Sequence, residues 1–161
     1  VYITTRNAFE LTKHELKNVA AYLQSGGLIV ADNDNPRAEY GPGEASLRDM
    51  FKKALGREAR FLPLPNDHPI YHVFFDFSGG PPPGGDAGSG IAQIRSHWLE
   101  GIYLGDRLAV VYSDKGYGAF WERETENEPQ LKFGVNLVVF ALTQKGSIAQ
   151  QQIDFYGQAT R

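Results

Sequence analysis

The residues best suited to chemistry follow the apolar segment Leu28–Ala31, which ends in Asp32-Asn33-Asp34-Asn35. Two carboxylates that are two residues apart, with amide oxygens beside them, can hold a hard cation such as calcium or magnesium. Aspartate and asparagine also form ordinary polar turns, because their side chains bond to the backbone two residues on. We interpret Asp32 as a site residue, whereas for Asp34 the polar turn is the favoured interpretation.

Two histidines form the second candidate cluster. His68 and His72 are four residues apart, so a helix would place both imidazoles on one face at a spacing that binds zinc. A metalloprotease helix has a glutamate directly after the first histidine, and here that residue is Pro69. In the structural alternative, Asp67 caps the helix, His68 donates to a loop carbonyl and His72 packs among phenylalanines. The structural alternative is favoured, and a divalent cation is kept as a candidate cofactor.

The composition excludes several classes of protein. The chain of 161 residues has no cysteine, which removes disulfides, thiol nucleophiles, thiolate zinc sites and iron–sulfur clusters. Its formal net charge of -3 argues against a nucleic-acid partner, because phosphate contacts need a basic face. No serine-hydrolase elbow, phosphate-binding loop or dinucleotide fingerprint occurs. No apolar run approaches the roughly 18 residues of a membrane span.

The first part of the chain predicts a strand, a helix and a second strand. Val1–Thr5 is β-branched and aromatic, as in a buried strand. Thr12 and Glu15 have the spacing of a capping box, and the helix that they begin is expected to end at Gly26-Gly27. Leu28–Ala31 then reads as a central parallel strand. In an open α/β sheet, ligands bind beyond the carboxyl ends of the strands, and Asp32 falls at that edge.

The rest of the chain predicts further elements and a tail. These are a helix over 45–55, an edge strand over 60–65, a mobile loop over 78–90, a hairpin of 99–104 and 107–112 joined by Gly105-Asp106, and a largely buried helix over 130–142. From Gln144 onward the chain is rich in glutamine and glycine, which favours an extended or partly disordered tail over 144–161.

Polar residues that follow or flank these elements are expected to converge on one crevice. They are Asp32, Asp34, His68, His72, Asp114, Tyr117, Glu122 and Asn136. Three functions fit this set: binding of a small ligand, such as a sugar or metabolite, without catalysis; metal-assisted hydrolysis by a bound water; or assembly with another protein through the tail or an exposed sheet edge. No catalytic residue can be assigned from the sequence.

The run Leu-Pro-Asn-Asp-His-Pro-Ile-Tyr-His over 64–72 resembles a bacterial family known as domain of unknown function 4159, of the class I glutamine amidotransferase-like superfamily. The resemblance extends over about residues 1–143, through the segments 1–5, 23–32, 99–112, 113–118, 121–122 and 134–138. It implies a three-layer, flavodoxin-like and mostly parallel α/β sheet with a C-terminal β-hairpin and a buried last helix. It implies one domain over 1–143, followed by the tail.

The resemblance carries two further expectations. Family members usually have a strand–helix unit upstream of the segment that begins here, and they are commonly exported or membrane-anchored, which favours an extracytoplasmic, envelope-associated location. The superfamily's amidotransferases use a cysteine nucleophile with histidine and glutamate. Because this chain has no cysteine, glutamine hydrolysis by that mechanism cannot occur.

Overall fold

The computed structural model describes residues 1–34, 41–84 and 98–159. Within these ranges the strands are β1 (Tyr2–Thr5), β2 (Ile29–Asn33), β3 (Leu62–Leu64), β4 (Leu99–Leu104) and β5 (Arg107–Ser113). The helices are α1 (Lys13–Gln24), α2 (Pro42–Leu55), α3 (Gly118–Trp121), α4 (Glu128–Thr143) and α5 (Ile148–Ala159). Short 3₁₀ turns cover Gly56–Glu58 and Pro69–Tyr71. The loop predicted over 78–90 lies outside the described residues from 85 onward.

The five strands form one sheet in the order β1-β2-β5-β4-β3. The pairs β1–β2 and β2–β5 are parallel, whereas β5–β4 and β4–β3 are antiparallel. The sheet is therefore mixed, and the expectation of a mostly parallel sheet was wrong. The reason is the hairpin itself: Gly105, at φ 61°, and Asp106 turn the chain back within two residues, so β4 must run opposite to β5.

Helices cover both faces of this mixed α/β sheet. On one face, side chains of β2 and β5 such as Ile29 and Val110 pack with Leu47 and Phe51 of α2. On the other face, the alternate residues Val30 and Val111 pack with α4. Side chains of a strand alternate between faces, so the continuously apolar β2 is buried on both sides. The βαβ unit predicted from residues 1–31 is confirmed.

Helix α4 is not buried on most sides, contrary to the prediction. Phe133, Leu137 and Phe140 face the core, as their spacing of four and three residues requires. A second apolar stripe faces outward, and Val138 is 60% exposed. This stripe consists of Leu131, Val135, Val138 and Leu142. A helix on the surface of a sheet can bury only one stripe, so an all-apolar sequence leaves the other stripe uncovered.

The predicted extended tail is instead the helix α5. The Ser147 hydroxyl accepts a hydrogen bond from the Gln150 amide at 3.1 Å, which caps the helix. Gln151 donates to the Ser25 carbonyl at 3.2 Å, so the first turn docks on the end of α1. The second half of α5 projects with Ile153, Phe155 and Tyr156 exposed. Among the described residues, every helix is too short or too polar to cross a membrane.

Candidate functional site

The adjacent strands β2 and β5 end side by side, with Asp32 paired in register to Ser113. After β2 the chain leads to α2 on one face of the sheet, and after β5 it leads to α3 and α4, of which α4 packs on the opposite face. Neighbouring loops that leave a sheet on opposite faces open a crevice between them, which is the usual ligand position in α/β folds. The polar strand ends thus flank a topological switch point.

Asp32 is completely buried and organises this edge. Its carboxylate accepts hydrogen bonds from the Gly116 amide at 3.1 Å, the Gly118 amide at 3.2 Å and the Tyr2 hydroxyl at 2.8 Å. The Ser113 side chain also bonds to it. A carboxylate offers about four lone-pair positions, so these donors saturate it. Asp32 therefore fixes the loop after β5 and does not present a free carboxylate to a ligand.

Burial raises the pKa of Asp32 to about 6, against the opposing effect of its hydrogen bonds. Desolvation penalises the charged carboxylate, while the Ser113, Tyr2, Gly118 and Gly116 donors stabilise it. The carboxylate also acts on its neighbour: burial first, and then the charge of Asp32, raises the pKa of the Tyr2 hydroxyl. The hydrogen bond between Tyr2 and Asp32 therefore depends on the protonation state of the Asp32 carboxyl group.

Tyr117 belongs to the same loop but is fully enclosed. Its hydroxyl donates to the Pro82 carbonyl at 2.7 Å, and its ring stacks on Trp121 with centroids 6.1 Å apart. Burial raises the pKa of this hydroxyl well above its usual value. Gln130 donates to the Pro83 carbonyl at 2.9 Å, so residues 82–84 lie along the loop after β5. Tyr117 holds the wall of the crevice in place.

Two acidic residues of the predicted set form ion pairs near the crevice. Asp34 accepts from Arg6 at 3.0 Å, with the Asp34 side chain 27% exposed. Asp114 accepts from Lys115 at 2.8 Å, and both side chains are largely buried. The crevice is thus flanked by two pairs of opposite charges, one after β2 and one after β5. Arg6, which follows β1, and Lys115, the second residue after β5, are the charged partners of the predicted residues.

The structure does not bring the remaining predicted residues into the crevice. Asn136 is buried and fastens the segment after β3: its side chain accepts from the Phe75 amide at 2.8 Å and donates to the Ile70 and Phe75 carbonyls. Glu122 follows α3 and is exposed. Asn136 therefore has a structural place, and Glu122 points to solvent.

The two histidines do not share a face. The 3₁₀ turn between them is only three residues long, and His68, not the predicted Asp67, caps it by accepting from the Ile70 amide at 3.1 Å. The His68 ring packs 5.5 Å from Phe140, and burial lowers its pKa. His72 instead contacts Asp76 and the Asn66 carbonyl. The described residues contain no cluster of three or more acidic or histidine side chains that could hold a metal.

A polar cluster on the α2 face was missed by the sequence analysis. Arg48 donates to Glu44 at 2.9 Å and to Glu100, and its guanidinium lies 4.3 Å over the Tyr112 ring. The spacing of Glu44 and Arg48 on α2 was a signal, because residues four apart on a helix pair readily. Glu100 is across from Tyr112 in the β4–β5 register. Arg48 and Glu100 are 52 residues apart in the sequence, so no short sequence pattern predicts their contact.

An apolar groove of about 550 Å³ runs between the edge strand β1 and the outward stripe of α4. Its lining includes Val1, Leu28, Trp121, Val135 and Val138. On its other side β1 has no neighbouring strand among the described residues. The groove and the open strand edge are therefore adjacent, on the side of the sheet farthest from β3.

The strands and the helices on both faces define an α/β domain in which the adjacent parallel strands β2 and β5 lead to helices on opposite faces of the sheet. Residues 1–142 match the family model described as Domain of unknown function (DUF4159), and the chain belongs to this family. A search of curated proteins found no match. The match ends within α4, so α5 lies beyond the segment that defines the family.

Proposed function

We propose that the domain binds a small polar ligand at the switch-point crevice without converting it. The observation that carries this proposal is the placement of α2, which follows β2, and α4, which follows β5, on opposite faces of the sheet, next to the Arg6–Asp34 and Asp114–Lys115 pairs. Paired charges of both signs suit a ligand with hydrogen-bond donors and acceptors, such as a sugar or a polar metabolite. Asp32 and Tyr117 act here as positioning residues, since their polar atoms are engaged by the protein.

A relationship to the class I glutamine amidotransferase-like superfamily, with a flavodoxin-like arrangement, is part of this proposal. Its support is the parallel β1-β2-β5 arrangement and the βαβ connection through α1. The chain has no cysteine to act as the nucleophile of glutamine hydrolysis, which agrees with binding in place of that reaction. No observation within the described residues favours metal-assisted hydrolysis.

A thermal-shift screen with sugars and polar metabolites tests the ligand proposal. A ligand at a hundredfold excess over its dissociation constant should raise Tm by roughly 5–10 °C in a chain of this size. Asp34→Asn and Asp114→Asn should reduce the shift. Asp106→Asn is the matched control, because Asp106 lies in the β4–β5 turn at the opposite edge of the sheet. The proposal fails if no compound shifts Tm, or if the shift is insensitive to both crevice variants.

The apolar groove favours a second candidate function, assembly through the edge of the sheet. We propose that a second copy of this chain pairs with β1 along its open edge and covers the α4 stripe. An open strand edge offers unpaired backbone groups, and the groove beside it offers apolar surface that a partner buries.

Hydrogen exchange at increasing protein concentration tests this assembly. Amides of β1 should become protected as the concentration rises, because a second copy then covers the open edge. Val138→Asp should keep these amides in fast exchange at every concentration, whereas Asp154→Asn on the exposed side of α5 should not. Exchange of the β1 amides that does not change with concentration would refute a second copy as the occupant.

A further inference from the structure

The side chain of His72 is held between two hydrogen-bond acceptors. Its Nδ1 is 2.6 Å from Oδ1 of Asp76, and its Nε2 is 2.8 Å from the Asn66 carbonyl oxygen. A carbonyl oxygen only accepts, and so does an ionised carboxylate. A neutral imidazole has one N–H and one bare nitrogen, so it would place a lone pair against one of these oxygens. Only the imidazolium, with two N–H donors, satisfies both contacts.

The carboxylates on the segment of His72 act in the same direction. Asp76 and Asp67 both favour the protonated ring. On α4, which packs against this segment, the cation Lys132 lies 5.5 Å from the centroid of the Phe75 ring, and its charge is offset by the ion pair with Glu128 at 2.7 Å. The hydrogen bond to the Asn66 carbonyl, followed by that to Asp76, raises the pKa of His72. In turn, the histidine lowers the pKa of Asp76.

The clamp is connected to the wall of the crevice. Asn66, whose carbonyl His72 holds, also touches Gly80: a Cβ at Gly80, which has φ 93°, would be 2.7 Å from the Asn66 side-chain oxygen. Two residues further on, the Pro82 carbonyl accepts the Tyr117 hydroxyl. The segment is bound to α4 by Asn136 through Ile70 and Phe75, and the Phe77 ring packs 5.5 Å from Phe133 of α4. The backbone and polar side chains from Asp76 to Gly80 are held by the clamp and by short turns.

We propose that His72 is a pH-sensitive clamp: doubly protonated, it ties Asn66 to Asp76 and fixes the segment that carries the crevice wall, and its deprotonation releases Asp76–Gly80. The clamp does not depend on ligand binding in the crevice, and it stands if that function is disproved. Because both ring nitrogens bond to protein oxygens, His72 has no lone pair for a metal in this state. The histidine acts through the segment that it positions and is a positioning residue.

Long-range ¹H–¹⁵N NMR of the imidazoles tests the protonation state. His72 should show two protonated nitrogens at pH values below its titration, and it should titrate above the value of about 6.5 for an unperturbed histidine. Asp76→Asn keeps an acceptor but removes its charge, and it should lower the pKa of His72. A pKa of His72 at or below about 6.5 would overturn the proposal.

Hydrogen exchange tests the release itself. The amides of Phe77 and Gly80, which donate to the Tyr71 and Phe77 carbonyls, should lose protection as pH rises through the titration of His72, beyond the intrinsic tenfold increase per pH unit. This additional step should vanish in His72→Gln and move to lower pH in Asp76→Asn. His14→Gln, on the exposed side of α1, should leave the step unchanged. A step that persists in His72→Gln, or no step in the wild-type chain, would refute the clamp.

Discussion

The Tyr2 hydroxyl, from the first residue of the edge strand β1, donates to the buried Asp32 carboxylate near the end of β2 at 2.8 Å. The same carboxylate holds the Gly116 and Gly118 amides of the loop after β5. One side chain therefore connects three parts of the strand edge. Because it is buried and its hydrogen-bond donors are neutral groups, its protonation affects both the stability of the fold and the geometry of the crevice.

The first prediction concerns the pH dependence of stability. The pKa of Asp32 is raised to about 6 in the fold from 3.8, so between these values the native state binds more protons than the unfolded state. The free energy of unfolding should then decrease as pH rises from about 4 to about 6 and level off above, by at most about 3 kcal/mol from this residue. This direction is opposite to that of an aspartate whose pKa is lowered by folding.

Urea unfolding of the wild-type chain and Asp32→Asn from pH 4 to pH 8 provides the measurement. Other carboxyl groups titrate in both proteins, so the difference between the two curves isolates Asp32. As pH rises towards 6, the free energy of unfolding of Asp32→Asn should increase relative to that of the wild-type chain. Parallel curves would show that Asp32 does not titrate in this range in the fold.

The second prediction concerns Tyr2. Tyr2→Phe removes one donor from a buried carboxylate and should cost about 1–3 kcal/mol at pH 7, because hydrogen bonds to charged groups are the stronger ones. The hydrogen bond from Tyr2 lowers the pKa of Asp32, so the variant should also shift the Asp32 titration upward. Tyr103→Phe is the control, because it removes a hydroxyl from the ring that packs beside His68 and leaves the ring in place. It should change the free energy of unfolding by about 0.5 kcal/mol or less. Equal losses in both variants would contradict a specific role for Tyr2.

The third prediction concerns Asn136. Asn136→Ala leaves the Phe75 amide and the Ile70 and Phe75 carbonyls without their partner, which should cost about 2–5 kcal/mol. Amides from 70 to 77 should exchange faster while those of β2 and β5 remain protected, because the Asn136 contacts hold a segment that lies outside the sheet. Gln150→Ala, on α5, should have little effect. A loss of protection spread evenly over the whole sheet would show that Asn136 supports the core and not this segment.

Elements with local signals could be predicted from the sequence. The capping box of Thr12 and Glu15 and the Gly105-Asp106 turn are confirmed, because each depends on residues within a few positions of one another. The position of Asp32 at a strand end also followed from the apolar run before it. Its partners could not be predicted, since Tyr2 is 30 residues away and Gly116 is 84. The docking of α5 on Ser25 could not be predicted for the same reason, because Gln151 and Ser25 are 126 residues apart in the sequence.

The clearest failure of the sequence patterns was α4, where the amino-acid types alone did not show which stripe meets the core. Phe133 and Leu137 on one side and Val135 and Val138 on the other are all apolar. The stripe that becomes buried is the one that packs against Val30 and Val111 of the sheet, and this contact cannot be read from α4 alone.

The fourth prediction tests this orientation with two neighbouring residues of α4. Leu137 is 5% exposed and Val138 is 60% exposed. Leu137→Ala should cost about 2–5 kcal/mol because it opens a cavity in the core. Val138→Ala should change the free energy of unfolding by about 0.5 kcal/mol or less. Urea unfolding of both variants at low protein concentration gives these values directly. If Val138→Ala is as costly as Leu137→Ala, the outward stripe is covered in solution by another copy of the chain.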